Sequence, residues 1–270
     1  RGESGVGKTR LVDEHAARAR AAGAKVLRGD CVDLTEGELP YAPLIGALRP
    51  LTRAGDPALE AVRAELARPA GEQRADQGRF FELLLDALDR LAGEAPLVLV
   101  LEDIHWADRS TRDFLAFAAR NLGRERVVLV ATYRTDELHC RHPLRPLLPE
   151  LRRLERTTLV EVERLSRDEV AVLLEDILGG APDAGLVDRL YRRCEGNPLF
   201  AEELIAAGPG GEAELPPTLR DALMVRVEGL AEPTQEVLRA VAAAARADET
   251  LLADVTGLAP EVLRPALREA

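Results

Sequence analysis

Two hydrophobic patterns alternate along the first 162 residues of the chain. Continuous apolar runs at 96–101 and 127–131 are typical of strands buried on both faces of a parallel sheet. Between such runs, apolar residues recur at helical spacing, most regularly over 80–91. Strands that alternate with helices predict an α/β domain over residues 1–162. The predicted strands are 24–31, 96–101, 127–131 and 159–162, and the predicted helices include 11–22, 44–51, 56–66 and 80–91.

The pattern after residue 162 is helical only. Breaks rich in glycine, proline or polar residues separate the apolar-periodic segments, and the clearest linker is 208–211 (GPGG). An all-helical part therefore follows the α/β domain. The predicted helices are 166–178, 183–195, 198–207, 217–230, 233–245, 249–257 and 260–269.

Residues 2–9 (GESGVGKT) match the pattern G-x-x-x-x-G-K-[ST] at every fixed position. Its glycines let the backbone adopt positive φ and approach a polyanion, and its N–H groups form a nest for phosphate oxygens. Lys8 places a point charge between the outer phosphates, while Thr9 opens a helix and its hydroxyl can bind Mg²⁺. The predicted nucleotide-binding residues here are Gly2, Glu3, Ser4, Gly5, Val6, Gly7, Lys8, Thr9 and Arg10.

A plain glycine-rich turn before a helix is the alternative interpretation of this motif. Composition argues against it, because the only lysines among the 36 basic residues are Lys8 and Lys25. One of the two occupies the position where a compact ammonium suits a phosphate. Such a loop normally follows a buried strand, and this chain begins one residue before the motif. We therefore expect a fragment of a longer protein that lacks the first strand of its sheet.

Two carboxylates, Glu102 and Asp103, end the apolar run at 96–101. Unpaired buried charge is costly, but the carboxyl edge of an open α/β sheet is where ligands bind. The pair is typical of the acidic motif that accompanies a phosphate-binding loop, in which one acid holds Mg²⁺ and its neighbour orients the attacking water. Two solvated turn carboxylates are the alternative. Nearby, Asp108 is expected to cap the next helix, and Trp106 to lie in the core at the strand–helix corner.

The apolar run at 127–131 ends in Thr132, Tyr133 and Arg134. A polar residue and an arginine at the edge of that strand can reach a γ-phosphate. An ordinary surface arginine is the alternative for Arg134, since the chain has 34 arginines among its 36 basic residues.

Charge and composition exclude several classes of protein. The net charge of −11 disfavours nucleic-acid binding by this segment. No apolar run approaches the ~18 residues of a membrane span, so no membrane association is expected. Three widely spaced cysteines argue against a disulfide framework and favour a reducing, cytoplasmic location.

Four motifs together resemble one family of ATPases: residues 2–9, 101–108 (LEDIHWAD), 131–134 (ATYR) and 194–200 (CEGNPLF). The chain resembles the signal-transduction ATPases with numerous domains (STAND), an AAA-like class of P-loop NTPase. Within it, the chain is most similar to the bacterial large ATP-binding regulators of the LuxR type. Stretches 38–44 (ELPYAPL) and 215–220 (LPPTLR) are also similar to that branch.

This resemblance implies a fold and a set of roles. The fold is a parallel sheet of strand order 5-1-4-3-2 in residues 1–162, a helical lid over 163–230, and the start of a winged-helix domain over 231–270. Arg134 matches the arginine that senses the γ-phosphate, and Pro198 the lid proline that packs on adenine. Glu102 matches the acid on the Mg²⁺ side, where relatives often have Asp, and Asp103 the acid on the water side. The implied catalytic residues are Lys8, Asp103 and Arg134, and the implied Mg²⁺ residues are Thr9 and Glu102.

The implied function is an ATP/ADP switch with slow hydrolysis and nucleotide-dependent self-association. It would belong to a signal-responsive transcriptional regulator whose DNA-binding domain lies outside these residues. A nucleotide-binding accessory domain of a signalling enzyme, such as an adenylate cyclase or protein kinase, is the first alternative. An enzyme that transfers phosphate to another substrate and an origin-loading ATPase are two others.

Overall fold

The chain forms two compact units in a computed structural model, Arg1–Leu165 and Ser166–Ala270. The predicted linker 208–211 and most of the predicted helix 217–230 lie outside the described residues. None of the described helices is both long enough and apolar enough to cross a membrane. The structure describes residues 1–32, 40–51, 57–66, 77–123, 125–206, 220, 224, 227–244 and 248–269.

The first unit contains a parallel sheet of three strands in the order β1-β2-β3. These are β1 (Lys25–Asp30), β2 (Leu97–Glu102) and β3 (Val127–Ala131). All six residues of the central strand β2 are buried, as its continuous apolar sequence predicts. The parallel register aligns Asp30 with Glu102, so the carboxyl ends of β1 and β2 meet at one edge of the sheet.

Helices cover both faces of this sheet, because the side chains of β2 alternate between two apolar clusters. Its leucines belong to the main core of the unit, while Val98 and Val100 pack with Val12 on the other face. The helices of the unit are α1 (Lys8–Ala21), α2 (Ala42–Leu48), α3 (Pro57–Leu66), α4 (Gln77–Glu94), α5 (Arg109–Asn121) and α6 (Leu147–Arg152).

The predicted strand at 159–162 is wrong, since the structure has no strand at those residues. The ammonium of Arg1 donates to Val160 O (2.6 Å), and Val162 N–H donates to Arg1 O (2.8 Å). Both bonds belong to one residue, which is too little pairing for a strand. The next residue of the chain, Gly2, makes an isolated parallel bridge with Arg134. The sheet contains three of the four strands predicted within the chain, so the full order 5-1-4-3-2 remains a prediction.

The described part of the second unit is helical, and each helix coincides with a predicted segment to within two residues at either end. A capping box begins the first of them, with the Ser166 hydroxyl accepting from Glu169 N–H and the Glu169 carboxylate accepting from Ser166 N–H. The lid and winged-helix assignments remain predictions. The helices are α7 (Arg167–Leu178), α8 (Ala184–Cys194), α9 (Pro198–Ala206), α10 (Glu232–Ala243), α11 (Glu249–Thr256) and α12 (Pro260–Glu269).

Close packing between β1 and α2 makes a prediction about Gly29. A Cβ at Gly29 would lie 1.8 Å from Pro43 O and 2.6 Å from Pro43 C, both backbone atoms. We expect Gly29→Ala to lower the free energy of unfolding in urea by about 1–3 kcal/mol. The matched control is Gly46→Ala within α2, where a new Cβ meets nothing within 4 Å. This change is expected to leave stability unaltered or raise it by about 0.5–1 kcal/mol. Equal stability of the two variants would contradict the packing.

Candidate functional site

The glycine-rich loop before α1 has a distinct steric reason for each glycine. Gly5 (φ 77°) and Gly7 (φ 101°) adopt the left-handed conformation that favours glycine, and Gly7 is the N-cap of α1. Gly2 is not among the residues with positive φ, contrary to expectation. It is required because a Cβ there would lie 2.5 Å from Val162 O. The loop thus turns directly into a helix N-terminus, the geometry that presents backbone N–H groups to an anion.

Lys8, the first residue of α1, is buried and turns its ammonium back onto the loop. Its Nζ donates to Gly2 O (3.1 Å) and Glu3 O (2.6 Å). Burial lowers the pKa of Lys8, and the positive charge of Arg134 lowers it further. An anion beside this ammonium would oppose both effects, so the site favours a polyanionic ligand.

A hydrogen bond joins the start of α1 to the end of β2, because the Thr9 hydroxyl donates to Glu102 Oε2 (2.9 Å). Glu102 is only 4% exposed, and its other oxygen pairs with the Arg28 guanidinium of β1. Burial raises the pKa of Glu102, although the Thr9 hydroxyl and the Arg28 charge act in the opposite direction. The carboxylate is therefore held at the site at a cost in free energy.

These oxygens fit Mg²⁺, which prefers hard oxygen ligands. Glu102 Oε1 faces the Arg28 guanidinium without an aligned hydrogen bond, and Oε2 accepts from the Thr9 hydroxyl. The described residues contain no group of three or more His, Cys, Asp or Glu side chains that could hold a metal ion. Mg²⁺ keeps several waters and binds through one or two protein groups together with substrate phosphates.

Asp103 follows Glu102 in a left-handed conformation (φ 53°) that is unusual outside glycine. Its N–H donates to the Thr132 hydroxyl (3.0 Å) at the end of β3. Its carboxylate Oδ2 lies 3.5 Å from Arg134 Nη2. Such a conformation costs about 1–3 kcal/mol and persists only where the surroundings enforce it, which is common at functional sites.

Arg134 lies three residues after the end of β3, where the chain passes beside the glycine-rich loop. Its backbone bridges Gly2, and the next N–H, of Thr135, donates to Gly2 O (3.2 Å). Its guanidinium lies 4.8 Å from the centre of the Trp106 ring, and Nη1 lies 2.6 Å from Glu137 Oε1. The structure thus places at one edge of the sheet the residues to which the sequence assigns chemistry: Lys8, Thr9, Glu102, Asp103 and Arg134. Their individual roles remain predictions.

The expectation that Trp106 lies in the core is wrong. Trp106 ends a 3₁₀ turn, Ile104–Trp106, in which Ile104 and His105 are buried and the tryptophan is 36% exposed. Its indole lies against the Arg134 guanidinium, where a cation–π interaction stabilises the pair. Asp108 caps α5 as predicted, because its carboxylate accepts from Thr111 N–H (3.1 Å).

Three charged residues of the site were missed by sequence reasoning: Arg28, Asp136 and Glu137. The Asp136 carboxylate accepts from the Ser4 N–H of the glycine-rich loop (3.2 Å). The two acids lie two and three positions after Arg134, and this spacing is the one available signal for a local ion pair. Arg28 has no such signal, since its pairing depends on the register of β1 against β2.

Pro198 is the first residue of α9, in the second unit. The segment before it, part of the CEGNPLF motif, shapes the turn between α8 and α9. Glu195 (φ 49°) and Gly196 (φ 79°) are left-handed, and Asn197 Oδ1 accepts from Leu199 N–H (3.1 Å). The motif therefore has a local structural role, and the contact of Pro198 with adenine remains a prediction.

Comparison with known proteins agrees with this geometry. Residues 1–130 match the family model described as AAA ATPase domain. An uncharacterized protein of Rhizobium meliloti (strain 1021) is 30% identical over 234 residues, which cover 75% of this chain but only 22% of that protein. The chain thus spans about a fifth of the length of this relative.

Among solved structures, the Walker-type ATPase of Pyrococcus abyssi has a similar fold. Its TM-score is 0.62 at 17% identity, and the match covers 99% of this chain and 82% of that one. The similarity extends over both units of the chain and shows the fold alone.

The electrostatics of Glu102 make a prediction about pH. Because burial raises the pKa of Glu102, its ionised form weakens the folded state at any pH above that pKa. We expect Glu102→Gln to unfold at a higher temperature than wild type at pH 7.5. The difference should shrink as the pH falls toward 4.5, the ordinary value for this group, because wild-type Glu102 then becomes neutral as well. Thermal unfolding at a series of pH values measures this.

The matched control for this experiment is Asp13→Asn, which removes an exposed carboxylate that pairs with the same Arg28 (2.6 Å). It is expected to give no increase in unfolding temperature. A lower unfolding temperature for Glu102→Gln at pH 7.5 would show that the contacts with Thr9 and Arg28 outweigh the cost of burial.

Proposed function

We propose that this chain is a Mg²⁺·ATP-binding switch that hydrolyses ATP slowly and whose ATP and ADP states differ. The convergence of Lys8, Thr9, Glu102, Asp103 and Arg134 on the glycine-rich loop is the observation that carries the proposal. Phosphoryl transfer requires mainly positioning and charge stabilisation, and these residues supply both.

The loop N–H groups and the N-terminus of α1 bind the phosphates, and Lys8 exchanges its two carbonyl contacts for phosphate oxygens. Arg134 is the residue that binds the γ-phosphate. Pro198 packs against the adenine. ADP lacks the γ-phosphate, so the two nucleotides differ in the contact that they offer to Arg134.

Thr9 and Glu102 are the residues that hold Mg²⁺. Mg²⁺ held by these residues would supply positive charge that stabilises the negative charge developing on the phosphate during transfer. Asp103 orients the attacking water from the neighbouring position. The Asp103 carboxylate also lies near Arg134. This contact competes with the binding of water by Asp103 and with the binding of the γ-phosphate by Arg134. Such competition is consistent with slow turnover.

We assign this switch to a signal-responsive transcriptional regulator of the LuxR-type STAND class. The support is the sequence resemblance of motifs 2–9, 101–108, 131–134 and 194–200. The small share of the Rhizobium meliloti relative that this chain covers is consistent with one module of a larger protein. In this role, ATP promotes self-association, and DNA binding resides in another domain.

The lysine pair of the chain provides a direct test of nucleotide binding. We expect Lys8→Ala to weaken ATP binding at least about tenfold, because charge-assisted hydrogen bonds to phosphate contribute about 1.5–3 kcal/mol each. Isothermal titration calorimetry with Mg²⁺·ATP measures the affinity.

Lys25→Ala is the matched control, since it removes the other lysine, which pairs with Glu94 on the far side of the domain from the loop. Its ATP affinity should equal that of wild type. Equal affinities for Lys8→Ala and wild type would contradict the proposed site.

Self-association gives a separate prediction for the regulatory role. We expect sedimentation velocity to show larger particles with Mg²⁺·ATP than with Mg²⁺·ADP at equal protein concentration, and no such difference for Lys8→Ala. The same sedimentation coefficient in both nucleotides would contradict an assembly switch and leave nucleotide binding itself untouched.

A further inference from the structure

Glu137, a residue to which the sequence analysis gives no role, lies between two groups of the candidate site. Its Oε1 lies 2.6 Å from Arg134 Nη1, and its Oε2 lies 3.1 Å from His105 Nε2. The side chains of Arg134 and Glu137 are only 26% and 32% exposed. Glu137 is therefore part of the site rather than a solvated surface acid.

The pairing occupies the guanidinium that the proposed function assigns to the γ-phosphate. One arm of Arg134 contacts Glu137, the other lies 3.5 Å from Asp103, and the plane of the group lies over Trp106. The ion pair with Glu137 uses one of the five N–H donors of the guanidinium and holds its planar fork in the present orientation, so a phosphate that turns Arg134 toward itself must break this pair. Binding of the γ-phosphate thus competes directly with Glu137.

His105 offers Glu137 a replacement partner. The imidazole side chain is 0% exposed and packs beside Trp106, with ring centres 4.6 Å apart. Its Nδ1 accepts from Arg134 N–H (3.5 Å), which leaves the proton of the neutral ring on Nε2. Nε2 is buried without an aligned hydrogen-bond partner, although Glu137 Oε2 is within reach.

An unpaired buried N–H is costly, and the nearby carboxylate can remove that cost by a small rotation. While Glu137 is aligned with Arg134, it does not satisfy His105. When Arg134 turns to a phosphate, Glu137 becomes free to accept the His105 Nε2–H. The Glu137 carboxylate thus pairs with Arg134 when no phosphate is bound, and with His105 when Arg134 has turned to a phosphate.

We propose that Glu137 is a positioning residue that sets the preference for ATP over ADP. It holds Arg134 in an ion pair until a γ-phosphate takes the place of the Glu137 carboxylate. This rests on the proposed function, because it requires that Arg134 bind the γ-phosphate. Glu137 acts through Arg134 and makes no contact with the nucleotide itself.

The test compares the affinities of Glu137→Gln for Mg²⁺·ATP and Mg²⁺·ADP by calorimetry. Glutamine keeps the shape of the side chain and removes its charge. We expect ATP to bind about three- to fivefold more tightly than to wild type, the range for losing one partly exposed competing ion pair, and ADP affinity to change less than about twofold. The matched control is Glu150→Gln, which breaks a similar ion pair with Arg120 (2.6 Å) away from the loop. It should change neither affinity.

A second comparison separates restraint of Arg134 from simple charge repulsion. In an Arg134→Ala background, Glu137→Gln should leave ATP affinity unchanged, because there is no arginine to release. Tighter ATP binding in that background would overturn the proposal, since Glu137 would then act only by repelling phosphate. Weaker ATP binding by Glu137→Gln alone would also overturn it, by showing that Glu137 orients Arg134 toward the phosphate.

Wild-type protein separates failure of this inference from failure of the proposed function. If wild type binds neither nucleotide, the proposed function fails. If wild type binds ATP and ADP, and Glu137→Gln has the same affinity ratio, the inference about Glu137 alone fails.

Discussion

The hydrogen bond from the Thr9 hydroxyl to Glu102 is the contact on which the site depends. It joins the first turn of α1, which the glycine-rich loop opens, to the end of β2, the most deeply buried strand. Because β2 lies between β1 and β3, the same edge also places Arg28 on one side and Arg134 on the other. This one hydrogen bond therefore fixes the position of the glycine-rich loop relative to two acids and two arginines: Glu102, Asp103, Arg28 and Arg134.

This arrangement places two buried charged groups, Lys8 and Glu102, at the carboxyl edge of the sheet. The pKa of Glu102 is raised and that of Lys8 is lowered, so burial opposes the charged form of each group. Each charge is retained by contacts within the site, namely Thr9 and Arg28 for the acid and two loop carbonyls for the lysine. A polyanion would supply negative charge to Lys8, and Mg²⁺ would supply positive charge to Glu102. The ligand would therefore offset the free-energy cost of burying these two groups.

The sequence predicts the parts of the structure that local patterns determine. The apolar runs at β2 and β3, the helices of the second unit and the convergence of Lys8 with Glu102 follow from periodicity and motif spacing. The errors concern features that depend on tertiary partners. Residues 159–162 pair with the backbone of Arg1, and the partly exposed Trp106 lies against Arg134. The role of Glu137 depends on two partners from different loops, which no local pattern indicates.

Trp106 provides the most direct test that nucleotide binds at this site, because it is the only tryptophan and lies 4.8 Å from the Arg134 guanidinium. Its fluorescence would be followed while Mg²⁺·ATP and Mg²⁺·ADP are added. Our account predicts a saturable change with ATP, a smaller change with ADP, and, for Lys8→Ala, a midpoint at an ATP concentration at least about tenfold higher than for wild type. Unaltered Trp106 emission in wild type at ATP concentrations that saturate binding by calorimetry would contradict it, since Arg134 would then not have moved to the γ-phosphate.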